Sequence, residues 1–275
     1  MTPFYLPVGA GQRFCVHFPA ASASPRGTIL HVHAFAEEMN KSRRAIAQAA
    51  RSFAQAGWDV LLIDLAGCGD SSGELTDVTW KSWLEDLMAA ARWVEHRGAR
   101  VSVLWGLRFG VLLAADLLGR IGGASDLLLW QPVTSGRNHL TQFFRLKAAS
   151  DMLGEAAQRT GVAQLRAALA AGTPVEVAGY DIAPALCANI DSFDLPSTLP
   201  SGTRVLWLES GAASLSQTIL PASLPWIKRW QDAGAMITAQ SVAGPAFWQT
   251  VEIEEGPALS AASAAWLAAV KPGCA

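Results

Sequence analysis

Residues 104–113 read LWGLRFGVLL. Gly106 and Gly110 bracket one central residue between a strand-like and a helix-like run, a spacing that ordinarily lifts a nucleophile onto a tight turn. Here the central residue is Arg108. A guanidinium has five donors, no available lone pair and a pKa too high for deprotonation, so it cannot attack a carbonyl. It can hold a carboxylate or phosphate in bidentate fashion. The flanking glycines still fit a strained turn with close backbone approach, so Arg108 is expected to project where a hydroxyl would, with Leu107 and Phe109 beside it in a binding site.

Other residues offer alternatives. His31 and His33 are at i and i+2, so on a strand they share one face, as metal ligands do, with Glu37 or Glu38 to complete a set. No third His or Cys follows at ligand spacing, so neither a metal nor another cofactor is expected, and His31 reads as a hydrogen-bonded core residue. Cys68, between Gly67 and Gly69, is either a thiolate nucleophile near His33 or a small turn residue. Ser135 has a similar claim as an unconventional nucleophile.

The elements that must position these residues alternate. Near-continuous apolar runs at 27–34, 58–65, 101–107, 126–132, 204–210 and 236–242 suit strands of a parallel sheet covered on both faces. Between them, Trp80, Trp83, Leu84, Leu87, Met88, Ala91 and Val94 form a helical stripe over 79–96, and 42–56 repeats the pattern more weakly. A helix is expected after Phe109 and another over 259–270. Residues 4–18 suit one or two leading antiparallel strands. From about 137 to 200 the rhythm changes to helical stretches (one beginning at 154) and Pro- and Asp-punctuated loops, which read as a cap insertion within one domain spanning 1–275. The expected class is α/β, with a mostly parallel central sheet and helices on both faces.

In this order the motifs resemble the α/β-hydrolase fold. HVHAF, including His33 and Phe35, is similar to the His-Gly loop after the third strand, which implies that His33 is the loop histidine of the binding site; DLAGCGDSSG (64–73) is similar to the D-x-x-G-x-G-x-S-x-G turn after the fourth, and GLRFG (106–110) to the G-x-S-x-G elbow. More narrowly, HAFAEEMNKSRR, GCGDSSG, WGLRFG, WQPVTSG and GPAFWQT resemble the family called exosortase A system-associated hydrolase 2, whose members are linked to bacterial exopolysaccharide and protein-sorting systems. The triad order in this fold is nucleophile, acid, then a late histidine. The five histidines are His17, His31, His33, His96 and His139, so none lies late enough, and the corresponding stretch VAGPAFWQT carries Phe247 and Trp248. Glu209 is the only candidate acid in its segment. Losing the serine or histidine alone in a subtilisin-type triad costs about 10⁶ in kcat, so hydrolysis by this triad is not expected.

The resemblance also brings the charge run EEMNKSRR (37–44) beside the elbow. Glu37 or Glu38 then neutralises Arg108, or Arg108 stays available and selects an anionic or hydroxyl-rich ligand; Lys41, Arg43 and Arg44 read as a solvated helix start. Trp130 and Gln131, and Trp248 and Gln249, are rim candidates, because Trp faces suit sugars or acyl chains and Gln suits hydroxyl or amide groups. With a formal net charge of -2 and 16% charged residues, nothing favours a nucleic acid or an anionic membrane as partner. Residues 111–130 are too interrupted by Asp116, Arg120 and Asp126 to span a bilayer, no signal peptide is evident, and the four scattered cysteines fit a reducing compartment. The expectation is a cytoplasmic, non-hydrolytic hydrolase-like protein, tied by resemblance to exopolysaccharide and exosortase system proteins as partners, that binds an anionic, acyl or saccharide ligand; the alternative is an ester or thioester hydrolase using Cys68 or Ser135.

Overall fold

The computed structural model describes residues 1–121, 125–153, 161–211 and 218–269. The chain runs through β1 (Thr2–Val8), β2 (Gly11–Phe18), β3 (Thr28–Val32), α1 (Glu37–Gln55), β4 (Asp59–Ile63), α2 (Trp80–Glu95), β5 (Val101–Leu107), α3 (Gly110–Leu118) and β6 (Asp126–Trp130). It continues with α4 (Gly136–Leu153), α5 (Val162–Ala170), β7 (Val175–Val177), β8 (Tyr180–Ile182), α6 (Pro184–Asp191), β9 (Arg204–Gly211), α7 (Leu224–Asp232), β10 (Met236–Ala243) and α8 (Pro257–Ala269).

Eight strands form one sheet in the order β1-β2-β4-β3-β5-β6-β9-β10. The leading hairpin is antiparallel, and the strands from β4 to β10 in that order pair in parallel. Because side chains alternate along a strand, each central strand feeds two cores. Leu104, Leu127 and Leu129 pack with Trp83, Leu87 and Phe109 beneath α2 and α3. Val103, Trp105, Leu107, Leu128 and Trp130 pack with Ile46, Phe53, Trp58 and Phe247 on the face covered by α1 and α8.

Two boundaries differ from the sequence expectation in ways that matter for the site. The helix expected over 42–56 already begins at Glu37, since carboxylates at Glu37 and Glu38 suit the positive end of a helix. The strand expected over 126–132 stops at Trp130, because Gln131 turns into the left-handed region at φ 44°. Between the adjacent strands β6 and β9 lie α4, α5, the β7–β8 hairpin and α6. The hairpin is tied to α1 through Tyr180, whose hydroxyl donates to Glu37 Oε2 at 3.1 Å and accepts from Asn40 Nδ2 at 2.7 Å. Residues 154–160 of the expected helical stretch, residue 270 of the closing helix and Cys274 lie outside the described residues.

The turn from β5 into α3 works only with its two glycines. A methyl on Gly110 would run into the carbonyl oxygens of Val32 and His33 at the end of β3, and one on Gly106 would sit 2.8 Å from Val111 Cα. Both obstacles are backbone, which yields poorly. Gly110→Ala is therefore expected to cost about 3 kcal/mol of stability, read from urea unfolding; a wild-type midpoint would show that the turn has room to relax.

Candidate functional site

Arg108 occupies the crest of this turn with φ 54°. Its N–H donates to the Trp130 carbonyl at 2.9 Å, which holds the crest against β6. Left-handed backbone at a residue with a Cβ costs about 1–3 kcal/mol. Ala36, just before α1, at φ 50°, and Gln131, just after β6, at φ 44°, carry the same strain. Three strained non-glycine residues therefore follow the carboxyl ends of β3, β5 and β6, the edge at which open α/β sheets place ligands.

The early start of α1 delivers a carboxylate to the crest. Arg108 donates from Nε to Glu38 Oε1 and Oε2 at 3.1 and 3.3 Å, and from Nη2 to Oε1 at 3.0 Å. The two side chains are only 11% and 17% exposed, so the charges depend on each other rather than on water. The guanidinium also lies 5.7 Å from the ring centre of Trp248, in the loop after β10. Above the pair opens a cavity of about 370 Å³. Its walls are Phe35, the Glu37, Glu38 and Lys41 side of α1, Trp248 and Gln249, and a stripe of α4 formed by His139, Gln142, Phe143 and Leu146.

His139 is the residue that sequence reasoning set aside. It is buried, its ring stacks on Phe109 at 5.4 Å, and neither ring nitrogen has a hydrogen-bond partner among the described residues. Burial pulls its pKa down to about 4, with Glu38 raising it and Arg108 lowering it by smaller amounts. One signal in the sequence and one in the structure account for this placement. Residues 139, 142, 143 and 146 fall at i, i+3, i+4 and i+7. Ser135 also caps the helix they share, accepting from Asn138 N at 3.4 Å, which places His139 one turn in.

Of the residues expected at the site, Arg108, Phe35, Glu37, Glu38, Trp248 and Gln249 meet around the cavity. Phe109 lies buried under His139. Leu107 and Trp130 belong to the α1/α8 core, because strand parity turns them to that face; Trp130 is fully buried and donates from Nε1 to Ser263 Oγ at 2.8 Å. Trp130 is thus a core residue and not part of the rim. Gln131 accepts on Oε1 from Ser210 N at 2.8 Å, tying β6 to β9. His33 accepts on Nε2 from Leu65 N at 3.2 Å, so its proton is on Nδ1, which donates to Ala34 O at 2.6 Å. His31 bonds the Trp105 carbonyl through Nδ1 at 3.0 Å.

Neither alternative nucleophile lines the cavity over the crest. Burial, helped by Asp64 and Asp86, pushes the Cys68 thiol up to about 12, and both nitrogens of His33 are engaged by backbone. Ser135 serves as the cap of α4. Glu209 accepts from Trp207 Nε1, Leu220 N and Ser223 Oγ at 3.0, 2.6 and 2.5 Å and does not line the cavity. In the charge run, Lys41 lines the cavity and reaches Gln249 O at 3.5 Å, whereas Arg43 pairs with Asp64 and Arg44 with Glu255, each at 2.8 Å.

Two outcomes follow from this electrostatic arrangement. Glu38→Gln keeps the shape but leaves the guanidinium without its counter-charge, an expected loss of about 3 kcal/mol in urea unfolding; Arg108→Met on that background should recover most of it. Histidines buried in the neutral form also bind fewer protons than the unfolded chain. His31 is pulled down to about 3, His139 to about 4, and His33 is lowered as well, each mainly by burial. Stability should therefore fall as pH drops below about 6.5 towards 3–4 and should gain nothing from these groups above that window. Thermal midpoints across pH 3–8 check this, and His139→Phe should shallow the slope.

The comparisons agree with this architecture. Residues 23–199 match the serine aminopeptidase S33 family. Est1E from Butyrivibrio proteoclasticus, solved with ferulic acid bound, superposes with a TM-score of 0.62 at 13% identity, covering 96% of this chain and 97% of its own. Proline iminopeptidase from Mycobacterium smegmatis superposes at 0.58 with 15% identity and 97% coverage of each chain. Mouse alpha/beta hydrolase domain-containing protein 10 gives 0.60 at 12% identity, with 97% and 95% covered. No curated protein matches the sequence. Its elbow, its sheet order and the family match over most of its length make this chain a member of the serine aminopeptidase S33 family, with the α/β-hydrolase fold.

Proposed function

We propose that this chain is a non-hydrolytic member of its family, a binding or accessory protein that holds a small anionic, acyl or saccharide ligand over Arg108. The observation that carries the reading is the crest itself. Acyl transfer needs a lone pair there, an imidazole to generate it and a positive environment for the developing oxyanion. The crest instead carries a guanidinium with its counter-carboxylate Glu38, and Trp248 lies over it. The retained strain at Ala36, Arg108 and Gln131 supports a site still shaped for a ligand. The motifs shared with the exosortase A system-associated hydrolase 2 family support a role beside the proteins of an exopolysaccharide or sorting system, on the cytoplasmic side. No described helix is long and apolar enough to cross a membrane.

Incubation with a serine-directed fluorophosphonate should leave the intact mass unchanged, and a panel of chromogenic acyl esters and thioesters should show no turnover above buffer. An adduct, or turnover abolished by Cys68→Ala or Ser135→Ala, would instead establish hydrolysis through an unconventional nucleophile.

A further inference from the structure

A second cavity, of about 390 Å³, lies between α1 and the β3-β4-β2 part of the sheet and shares no lining residue with the cavity over Arg108. The register of the sheet lays its floor. His31, Leu62 and Val16 stand side by side on β3, β4 and β2, with Phe18 two residues further along β2, and α1 adds Ile46 and Ala47. His31 is 3% exposed, and its Nδ1 donates to the Trp105 carbonyl, so Nε2 is a bare acceptor. Nε2 has no partner among the described residues, yet it is not sealed and keeps surface towards the cavity. Burial pulls the ring down to about 3, so Nε2 stays unprotonated at neutral pH.

Most other polar side chains of the lining are committed. His33 is engaged by backbone at both nitrogens, Ser42 donates to the Glu38 carbonyl at 2.5 Å, and Arg43 pairs with Asp64. Arg51 is the exception. It is exposed on the lining, its guanidinium lies 5.9 Å from the ring centre of Phe18, and Nη2 donates only to Met1 Sδ at 3.9 Å, with no ion pair among the described residues. Arg43 and Arg51 thus face a single carboxylate, Asp64, and the excess positive charge sits at the Phe18 end. Between that charge and the bare nitrogen of His31 the floor is apolar. Two strand spacings and two residues separate Phe18 from His31, about 12 Å, a distance that an extended chain of about ten carbons covers.

We propose that this cavity is a second ligand site, taking a chain-like hydroxy acid whose carboxylate rests on Arg51, whose apolar body lies along Phe18, Val16 and Leu62, and whose hydroxyl donates to His31 Nε2. A plain alkyl chain would cover the imidazole nitrogen without bonding it, which costs free energy. A ligand without charge would leave Arg51 unmatched. The site goes beyond the reading of the crest and does not depend on it.

Three probes of one length test it by calorimetry on the full chain: 10-hydroxydecanoate, decanoate and 1,10-decanediol. The hydroxy acid should bind about tenfold tighter than decanoate, which lacks the donor, and about tenfold tighter than the diol, which lacks the charge; each is a difference of about 1.4 kcal/mol. Arg51→Gln, at an exposed position, should erase the advantage over the diol and leave that over decanoate, and Arg51→Lys should keep part of both. Decanoate binding as tightly as the hydroxy acid would overturn the proposal. So would an advantage over the diol that survives Arg51→Gln, or no binding of any probe. The reading of the crest fails separately, through a fluorophosphonate adduct or ester turnover.

Discussion

A guanidinium held almost out of water at the crest of a strained turn must be met by a carboxylate, and in this protein Glu38 meets it. Much of the local architecture follows from that requirement. The chain leaves β3, bends through the left-handed Ala36 and enters α1 at once, so that the second residue of the helix reaches the crest. The helix N-terminus favours the same carboxylate that Arg108 requires. Trp248 then approaches the pair from the loop after β10, its ring centre 5.7 Å from a cation already neutralised by Glu38.

The turn beneath Arg108 keeps its geometry for reasons unrelated to the side chain it displays. Gly110 packs against the carbonyls that end β3, and Gly106 packs against Val111, so the backbone of the crest is set by the contact between β5, α3 and β3. Such a platform accepts a change of chemistry at its summit without a change of fold. The same platform brings α4 over the crest, which is how an imidazole reaches the cavity from the segment between β6 and β9 rather than from the region after β10.

Much of the fold was legible because burial on both faces leaves a simple mark. Apolar runs such as 101–107 match β5 residue for residue, and the stripe through Trp83, Leu87 and Val94 lies on α2 as its spacing predicts. At the site, Arg108 with Glu38 was legible as one of two open alternatives, since a charge at a buried turn restricts its neighbours. Trp130, which its place after an apolar run suggests for the rim, lies in the core. Its place at the end of a strand is visible in the sequence, but whether an end residue points to the cavity or to the opposite core depends on parity set by the neighbouring strands.

The sequence by itself determined the class of fold, the sharp turn at Gly106–Gly110, and the absence of a lone pair at its crest, because these depend on local periodicity and on the atoms each residue carries. Only the tertiary structure decided that Glu38 rather than Glu37 takes the guanidinium, that Trp248 approaches it, and that His139 reaches the cavity unpaired. Those outcomes join residues far apart in the chain. They depend on the angle at which a helix leaves a strand and on the face of α4 that turns inward, and neither is encoded in the spacing of a single segment.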